Sequence, residues 1–432
     1  MFLVVGASAR ALMESVVESG YQATAVDFFG DQDCRWCGEA YSLAELGLRP
    51  SAKHLLQAAV RVAPPQGAGD GRQDHSGLVY AAGPENDLQG LEVWERRGLL
   101  LGNGTLTLRQ VRNPWVLQES LAAIGCLMPP FYTLEEWRAV AAGGEAGWIV
   151  KPVNGGGGRG IVRLATEKTA AFTQLAAVND KSRYIVQRFI PGVAASVTFI
   201  ADGHRAVVVG TSRQLTAGRG LGGGPFRYAG SMVPLVLGLE HRLPDPGTEL
   251  ERIVGHLTAV FGLRGINTLD FIINRQGIWV LEVNPRWSAS VELIERWRGE
   301  RLFSCHLAAC GADGIQAGGR PVKKDRIGGF WGKAVVYAEN SFTVTTAGQE
   351  IADFYQLGLR DIPVCGAFIT TGQPLCSVLA WGATDASCWR SLTVKAAWAR
   401  QILGDVPVAD RATRLYAGAG QATQPKQEVR TC

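Results

Sequence analysis

Lys151-Pro152-Val153-Asn154-Gly155-Gly156-Gly157-Gly158-Arg159-Gly160 reads as the end of a strand followed by a glycine loop. Trp148-Ile149-Val150 before it and Ile161-Val162-Arg163-Leu164 after it are both β-prone, so the loop joins two strands in a hairpin. A lysine beside a flexible, amide-rich loop suits phosphate oxygens. A Walker-type loop leads into a helix and ends in Gly-Lys-Ser/Thr, and neither feature is present.

More than a hundred residues later come Leu269-Asp270-Phe271-Ile272-Ile273-Asn274 and Val280-Leu281-Glu282-Val283-Asn284-Pro285-Arg286. Asp270, Glu282 and Asn284 are hard oxygen donors of the kind that hold Mg²⁺. Glu282 and Asn284 lie two apart on a strand, so both side chains face the same way. Asp270 on the neighbouring strand can complete the cage. Apolar neighbours disfavour a merely solvated strand face, because buried acids need partners. Arg286 can reach a phosphate or an anionic intermediate. A phosphate clamp followed by a magnesium clamp points to a nucleoside triphosphate.

Composition narrows the class. The 432 residues are 47% hydrophobic and 19% charged, which predicts a sizeable buried core. The net charge of +4, without a basic run interleaved with aromatics, argues against nucleic acid. No apolar run reaches transmembrane length and the start lacks signal-peptide character, so a cytoplasmic protein is expected. The nine scattered cysteines read as reduced thiols, and Cys34-x-x-Cys37 as a chance pair in a loop. The six histidines show no ligand spacing. Trp94, Trp115 and Trp148 read as core.

Residues 2–27 form a β-α-β unit, the building block of parallel sheets. Its first turn lacks a full Gly-x-Gly-x-x-Gly, although Asp27 sits where a ribose-binding acid could. Leu99-Leu100-Leu101 reads as a further strand, Asn113-Pro114 opens a helix, and Phe172 to Val178 looks helical. Gly218 to Pro225 is a candidate mobile loop. Arg213, Arg219, Arg227 and Tyr228 beside it could hold an acidic substrate or be ordinary surface charges. Residues 311–420 read as strand-rich, and 421–432 as a loose tail.

The glycine hairpin, Gln187-Arg188-Phe189-Ile190-Pro191-Gly192, Asp270-Phe-Ile and Glu282-Val-Asn-Pro-Arg286 together resemble the ATP-grasp ligases, over residues 1–310. The resemblance implies an α/β fold, α+β overall. It has a Rossmann-like N-terminal lobe (1–115), a small ATP lobe (116–210), a central metal-bearing lobe (211–310) and the C-terminal extension. It implies ATP and one or two Mg²⁺ ions as cofactors. Lys151 would bind phosphate and take part in catalysis with Arg286, which would stabilise an acyl phosphate or tetrahedral intermediate. Gly155, Gly156, Gly157, Gly158 and Gly160 would close over the triphosphate. Gln187, Arg188, Phe189 and Ile190 would form the hinge beside adenine, and Asp270, Glu282 and Asn284 would hold the metal.

Three positions depart from the family pattern. Arg188 stands where the hinge often has Glu, no ribose acid follows Gly192, and Arg112 stands near the usual second phosphate lysine. Gly6-Ala-Ser-Ala-Arg10, Val26 to Asp31, Gly83-Pro-Glu-Asn86, Leu101-Gly-Asn103, Asp361 to Gly366 and Gly372 to Ser377 resemble a narrower set. That set is linked to tetrahydromethanopterin- and methanofuran-type cofactor pathways of one-carbon metabolism. The implied activity is ATP-dependent joining of a carboxylate to an amine, such as glutamate, possible as a homodimer. A nucleotide-binding regulatory subunit and a bicarbonate-using carboxylase stay open as alternatives.

Overall fold

The computed structural model describes residues 1–64, 76–140, 147–165, 170, 180–216, 220–238, 243–311, 320–321, 328–345 and 349–404. The predicted helix at 172–178, part of the 218–225 loop with Arg219, and the 421–432 tail lie outside them.

Phe2–Val5 is buried along its whole length, as a strand covered on both faces must be. It is central in a four-stranded parallel sheet ordered Ala40–Ser42, Ala23–Asp27, Phe2–Val5, Gly77–Tyr80. The expected strand at Leu99–Leu101 is reduced to a single bridge from Leu100 to Leu78. Asp27 is no ribose ligand. Its carboxylate accepts from the Ala9, Phe29 and Gly30 amides at 3.0, 2.9 and 2.7 Å, tying the first two βα turns together. Cys34 lies in the short helix Gln32–Arg35 rather than a loop, and burial pushes the Cys37 thiol up to about 12.

The glycine hairpin belongs to a second, antiparallel sheet ordered Phe131–Thr133, Tyr184–Arg188, Trp148–Pro152, Val162–Arg163. An eight-stranded sheet faces it. Its order is Gly277–Asn284, Arg264–Asn274, Val193–Asp202, Ala206–Thr216, Tyr228–Val233, Phe330–Tyr337, Pro374–Gly382, Leu359–Arg360. Strands beyond residue 320 therefore extend the same sheet that carries Asp270 and Glu282. Helix Pro246–Phe261 packs Leu250, Ile253, Leu257 and Phe261 on the Val197, Phe199, Leu269 and Phe271 face. Its ends carry the expected signals: the Asp245 carboxylate accepts from the Thr248 amide at 3.1 Å, and Gly262 takes φ +64°.

Two devices join the lobes. Arg10, wholly buried, bonds Glu292 through both terminal nitrogens (2.6 and 2.8 Å), Glu14 at 2.9 Å and Asp361 at 3.0 Å. Lys333 reaches the same Glu292 and Asp361 at 3.0 and 3.1 Å. Burial opposes ionisation there, yet Arg10 and Lys333 hold both carboxyls below the usual range. The second device is His306. Its Nδ1 accepts from the Ile266 amide at 3.0 Å, and its Nε2 faces the Leu101 carbonyl at 3.2 Å.

Burial lowers the His306 imidazole to about 4. Below its ordinary value the unfolded chain takes a proton that the native state refuses. Native stability is therefore intact above about 6.5 and is lost as pH falls toward 4. The difference in unfolding free energy between wild type and His306→Gln should shrink by about 3 kcal/mol between pH 7 and pH 4, read by urea unfolding at each pH. A constant difference would mean that the native ring takes up its proton over the same pH range as in the unfolded chain.

Candidate active site

A cleft separates the small sheet from the edge of the large one. Lys151, Gly155 and Gln187 line it from one side, Glu282 and Asn284 from the other, with Glu85 and Arg112 at the N-terminal lobe. The sequence-predicted clamp thus closes from two sheets. Lys151 Nζ lies 3.5 Å from Glu282 Oε2.

Register explains why the acids converge. Asp270 pairs directly with Glu282 on one side and with Ser196 on the other, so all three share a face. Ser196 pairs with Ser212, Gln214 with Ser231, and Ser231 with Lys333. A hydrophilic row thus crosses six strands, while the opposite face takes the apolar packing of helix Pro246–Phe261. Gln214 Nε2 donates to Asp270 Oδ1 at 2.8 Å, and Asn284 Nδ2 to Asp270 Oδ2 at 2.9 Å.

Burial, then the charge of Glu282, push the Asp270 carboxyl up to about 7. Two carboxylates in a direct cross-strand pair repel, and a hard divalent cation between them reverses that repulsion. The donor set fits Mg²⁺: two carboxylates with an amide oxygen, and coordination places left for water and phosphate. Among the described residues, no three His, Cys, Asp or Glu side chains gather into a fuller protein cage.

The glycine loop is exposed apart from Gly158, which is half-buried. The Tyr228 amide donates to the Gly157 carbonyl at 3.1 Å. A Cβ on Gly158 would stand 1.8 Å from the Phe226 carbonyl oxygen, and Gly158 has φ +70°. Only glycine fits there. At the hinge, Gln187 is 2% exposed, and its buried Nε2 has no partner among the described residues. Arg188 lies over the Trp148 ring at 5.3 Å. Phe189 is covered by Arg163 at 4.7 Å and meets Phe226 edge-on, and Ile190 is half-buried. Arg112 reaches the cleft rim, where it bonds the Glu85 carbonyl and, at 2.7 Å, Asn86 Oδ1.

Arg286 points at the N-terminal lobe. Its Nε donates to Glu85 Oε1 at 2.9 Å and its Nη2 to Asn284 Oδ1 at 2.8 Å. Glu85, Gln214 and Asn103 are the residues that sequence reasoning missed as site members. Asn103 Nδ2 and Tyr80 Oη both donate to the Pro285 carbonyl, at 2.9 and 3.4 Å, fixing the turn that carries Arg286. Of the candidate substrate residues, Arg213 is committed to Asp385 at 2.9 Å, and Arg227 stacks over Tyr337 at 5.0 Å. Tyr228 Oη bonds Ser231 at 3.0 Å, at the border of the hydrophilic row.

Residues 111–290 match the ATP-grasp domain family. The chain has the ATP-grasp fold. It is similar to the biotin carboxylase domain dimer of Hydrogenobacter thermophilus 2-oxoglutarate carboxylase, solved with MgADP, ADP and bicarbonate. The two are 15% identical over 88% of this chain and 86% of that one, with a TM-score of 0.63. It is also similar to phosphoribosylamine–glycine ligase of Thermotoga maritima, 16% identical over 92% and 96% of the two chains, TM-score 0.63. An uncharacterised protein of Methanocaldococcus jannaschii is 21% identical over 396 residues, 88% of this chain and 87% of that protein. No helix among the described residues is long and apolar enough to cross a membrane.

Proposed function

We propose that this ATP-grasp protein is an ATP- and Mg²⁺-dependent ligase that activates a carboxylate as an acyl phosphate and joins it to an amine. The observation that carries the reading is that Lys151, Glu282 and Asn284 line one cleft between two sheets, with Asp270 and Arg286 each hydrogen-bonded to Asn284 at its wall. A carboxylate is a poor electrophile, and phosphorylation makes it a good one. Its oxygen attacks the γ-phosphorus and ADP leaves. The amine nitrogen then attacks the carbonyl carbon, phosphate leaves and the nitrogen loses a proton.

Lys151 would neutralise phosphoryl charge from the small sheet, and Arg286 from the large one. Gly155 to Gly160 would cover the phosphates and keep water out. Gln187 to Ile190 would meet adenine, with the unpartnered Gln187 amide turned to the base, and Arg112 would face the phosphates from the rim. Bound between Asp270, Glu282 and Asn284, Mg²⁺ would supply charge neutralisation for the transferring group. In this reading residues 116–210 supply the nucleotide cover and 211–310 the metal-bearing lobe. The protein works in the cytoplasm as a homodimer, an assembly suggested by the likeness to the Hydrogenobacter thermophilus domain.

In its narrower form the amine is glutamate or a similar amino acid, and the acid is a one-carbon cofactor precursor of methanofuran or methanopterin type. The motif set quoted from both ends of the sequence supports it. Gly6 to Arg10 meets Val26 to Asp31 through the Ala9 amide and Asp27, and meets Asp361 through Arg10, while Glu85 and Asn103 hold the Pro285–Arg286 turn. A second reading takes bicarbonate as the small acid, on the likeness to the bicarbonate-bound carboxylase domain.

ADP release with MgATP across acid and amine pairs, including labelled bicarbonate, separates these readings. A glutamate-dependent product seen by mass spectrometry is expected. Label incorporation without it would select the second reading. Tight ATP binding with no ADP release from any pair would mark a regulatory subunit and sink the ligase assignment.

A further inference from the structure

Glu85 sits on the turn after strand Gly77–Tyr80, at the carboxyl end of the parallel sheet. Its side chain is 5% exposed and that of Arg286 is 10% exposed. Glu85 Oε2 is fixed by the Gly83 amide at 2.5 Å, and Oε1 takes Arg286 Nε at 2.9 Å. The turn itself is held by Arg112, through the Glu85 carbonyl and Asn86. Arg286 Nη2 bonds Asn284 Oδ1 at 2.8 Å and Nη1 bonds the Trp287 carbonyl at 3.3 Å. Of the five N–H groups of a guanidinium, three are thereby committed. Two are left, one on each terminal nitrogen, which is the donor pair that matches the two oxygens of a planar carboxylate or the edge of a phosphoryl group.

We propose that Glu85 is the positioning residue that turns Arg286 so that its terminal donor pair forms an oxyanion subsite on the N-terminal side of the cleft. The subsite would take the carboxylate substrate and, after phosphoryl transfer, its acyl phosphate, and in this respect the inference rests on the ligase reading above. Glu85 is part of a longer relay. Gly83, Glu85, Arg286, Asn284, Asp270 and Gln214 are joined by consecutive hydrogen bonds from the N-terminal lobe to the metal-binding face. The aim of the arginine is therefore set by two lobes at once.

Charge and position predict opposite signs, which makes the test decisive. A carboxylate beside the guanidinium weakens anion binding by charge alone, so its removal should tighten binding if Glu85 only repels. If Glu85 positions Arg286, its removal frees the side chain and weakens binding. The probe is inorganic phosphate, titrated calorimetrically into the full chain in the presence and absence of MgADP. Expected are loss of the phosphate site in Arg286→Ala, a rise in Kd of about tenfold in Glu85→Ala, and an intermediate value in Glu85→Gln, which keeps one acceptor. MgADP affinity should be unchanged in the two Glu85 variants. Unchanged or tighter phosphate binding in Glu85→Ala overturns the inference, as does phosphate binding that survives Arg286→Ala.

A turnover measurement separates this from failure of the ligase reading. Run backwards, the proposed chemistry transfers the phosphoryl group of acetyl phosphate to MgADP, giving ATP and acetate. In wild type this reaction should proceed, and Glu85→Ala should raise KM for acetyl phosphate while leaving KM for MgADP in place. No ATP from wild type with intact phosphate binding would count against the ligase reading alone, with the calorimetric result still deciding the role of Glu85. A Glu85→Ala protein with both KM values unchanged would overturn the positioning role.

Discussion

Glu282→Ala should lower ADP-forming turnover by about three orders of magnitude, with the protein still folded. Glu282 stands in a direct cross-strand pair with Asp270, and its far oxygen meets Lys151 across the cleft at 3.5 Å. Its side chain is 46% exposed, toward the cleft, against 14% for Lys151. Glu282 is nearly half exposed, and its loss relieves Asp270 of a repelling neighbour while costing Lys151 one long ion pair, so stability should change by no more than about 1 kcal/mol. Catalysis should suffer twice. The hard-oxygen set is reduced to Asp270 and Asn284, and Lys151 loses the partner that holds it opposite the sheet. In the variant the Asp270 carboxyl also sheds the repulsion that helps raise it to about 7, and should titrate lower. The check is steady-state ADP release at saturating MgATP, with thermal unfolding of the same preparations. Turnover within a factor of five of wild type would show that Glu282 is not a metal ligand. A collapse of stability alongside turnover would show that the pair with Lys151 is structural.

The elements that place this acid were readable because their signals are local. A hydrophobic run broken by a glycine loop gives a hairpin whatever surrounds it. The spacing of Glu282 and Asn284 fixes their common face because the strand repeats every two residues. What could not be read was which distant strands meet. Gln214 becomes a neighbour of Asp270 only because the long hairpin Val193–Asp202/Ala206–Thr216 carries a bulge between Val208 and Gly210 that sets its register. Glu85 was visible as a member of the Gly83-Pro-Glu-Asn86 motif, but its partner lies 201 residues away. Trp115 shows the same limit from the other side: it is 43% exposed, its ring edge-on to Phe131, although its size suggested core. Arg213, promising beside a glycine-rich loop, points to the opposite face of its strand from Gln214 and is spent on Asp385. Single-residue alternation decides such cases, and a loop's composition does not.

Arg10→Met should be the most damaging single change to stability, at about 5 kcal/mol or more. Removing one partner of a buried pair typically costs about 3–5 kcal/mol because it strands a charge, and Arg10 serves more than one acid. Glu14, Asp33, Glu292 and Asp361 approach it at 2.9, 3.5, 2.6 and 3.0 Å, and Arg10 itself is fully excluded from water. These acids come from the N-terminal lobe, from helix Val291–Arg298 and from the segment after strand Leu359–Arg360. The site depends on the same junction. Helix Val291–Arg298 begins five residues beyond Arg286, and the Asp33 carboxylate anchors the Asp361 and Ile362 amides at 2.9 Å each. Lys333 cannot replace Arg10, since it already bonds both Glu292 and Asp361. Losing the arginine should therefore loosen three segments together and widen the gap between the turn that carries Glu85 and the strand that ends at Asn284. The check is urea unfolding of Arg10→Met beside Arg96→Ala, whose exposed i,i+4 pair with Glu92 should contribute no more than about 0.5 kcal/mol. The milder Lys333→Met should fall between the two, and the double variant Arg10→Met/Glu292→Met should lose less than the two single losses added together, because the second change removes the acid that the first one strands. A loss near that of Arg96→Ala would mean that the acids around Arg10 are neutral in the native protein and that packing alone joins the lobes.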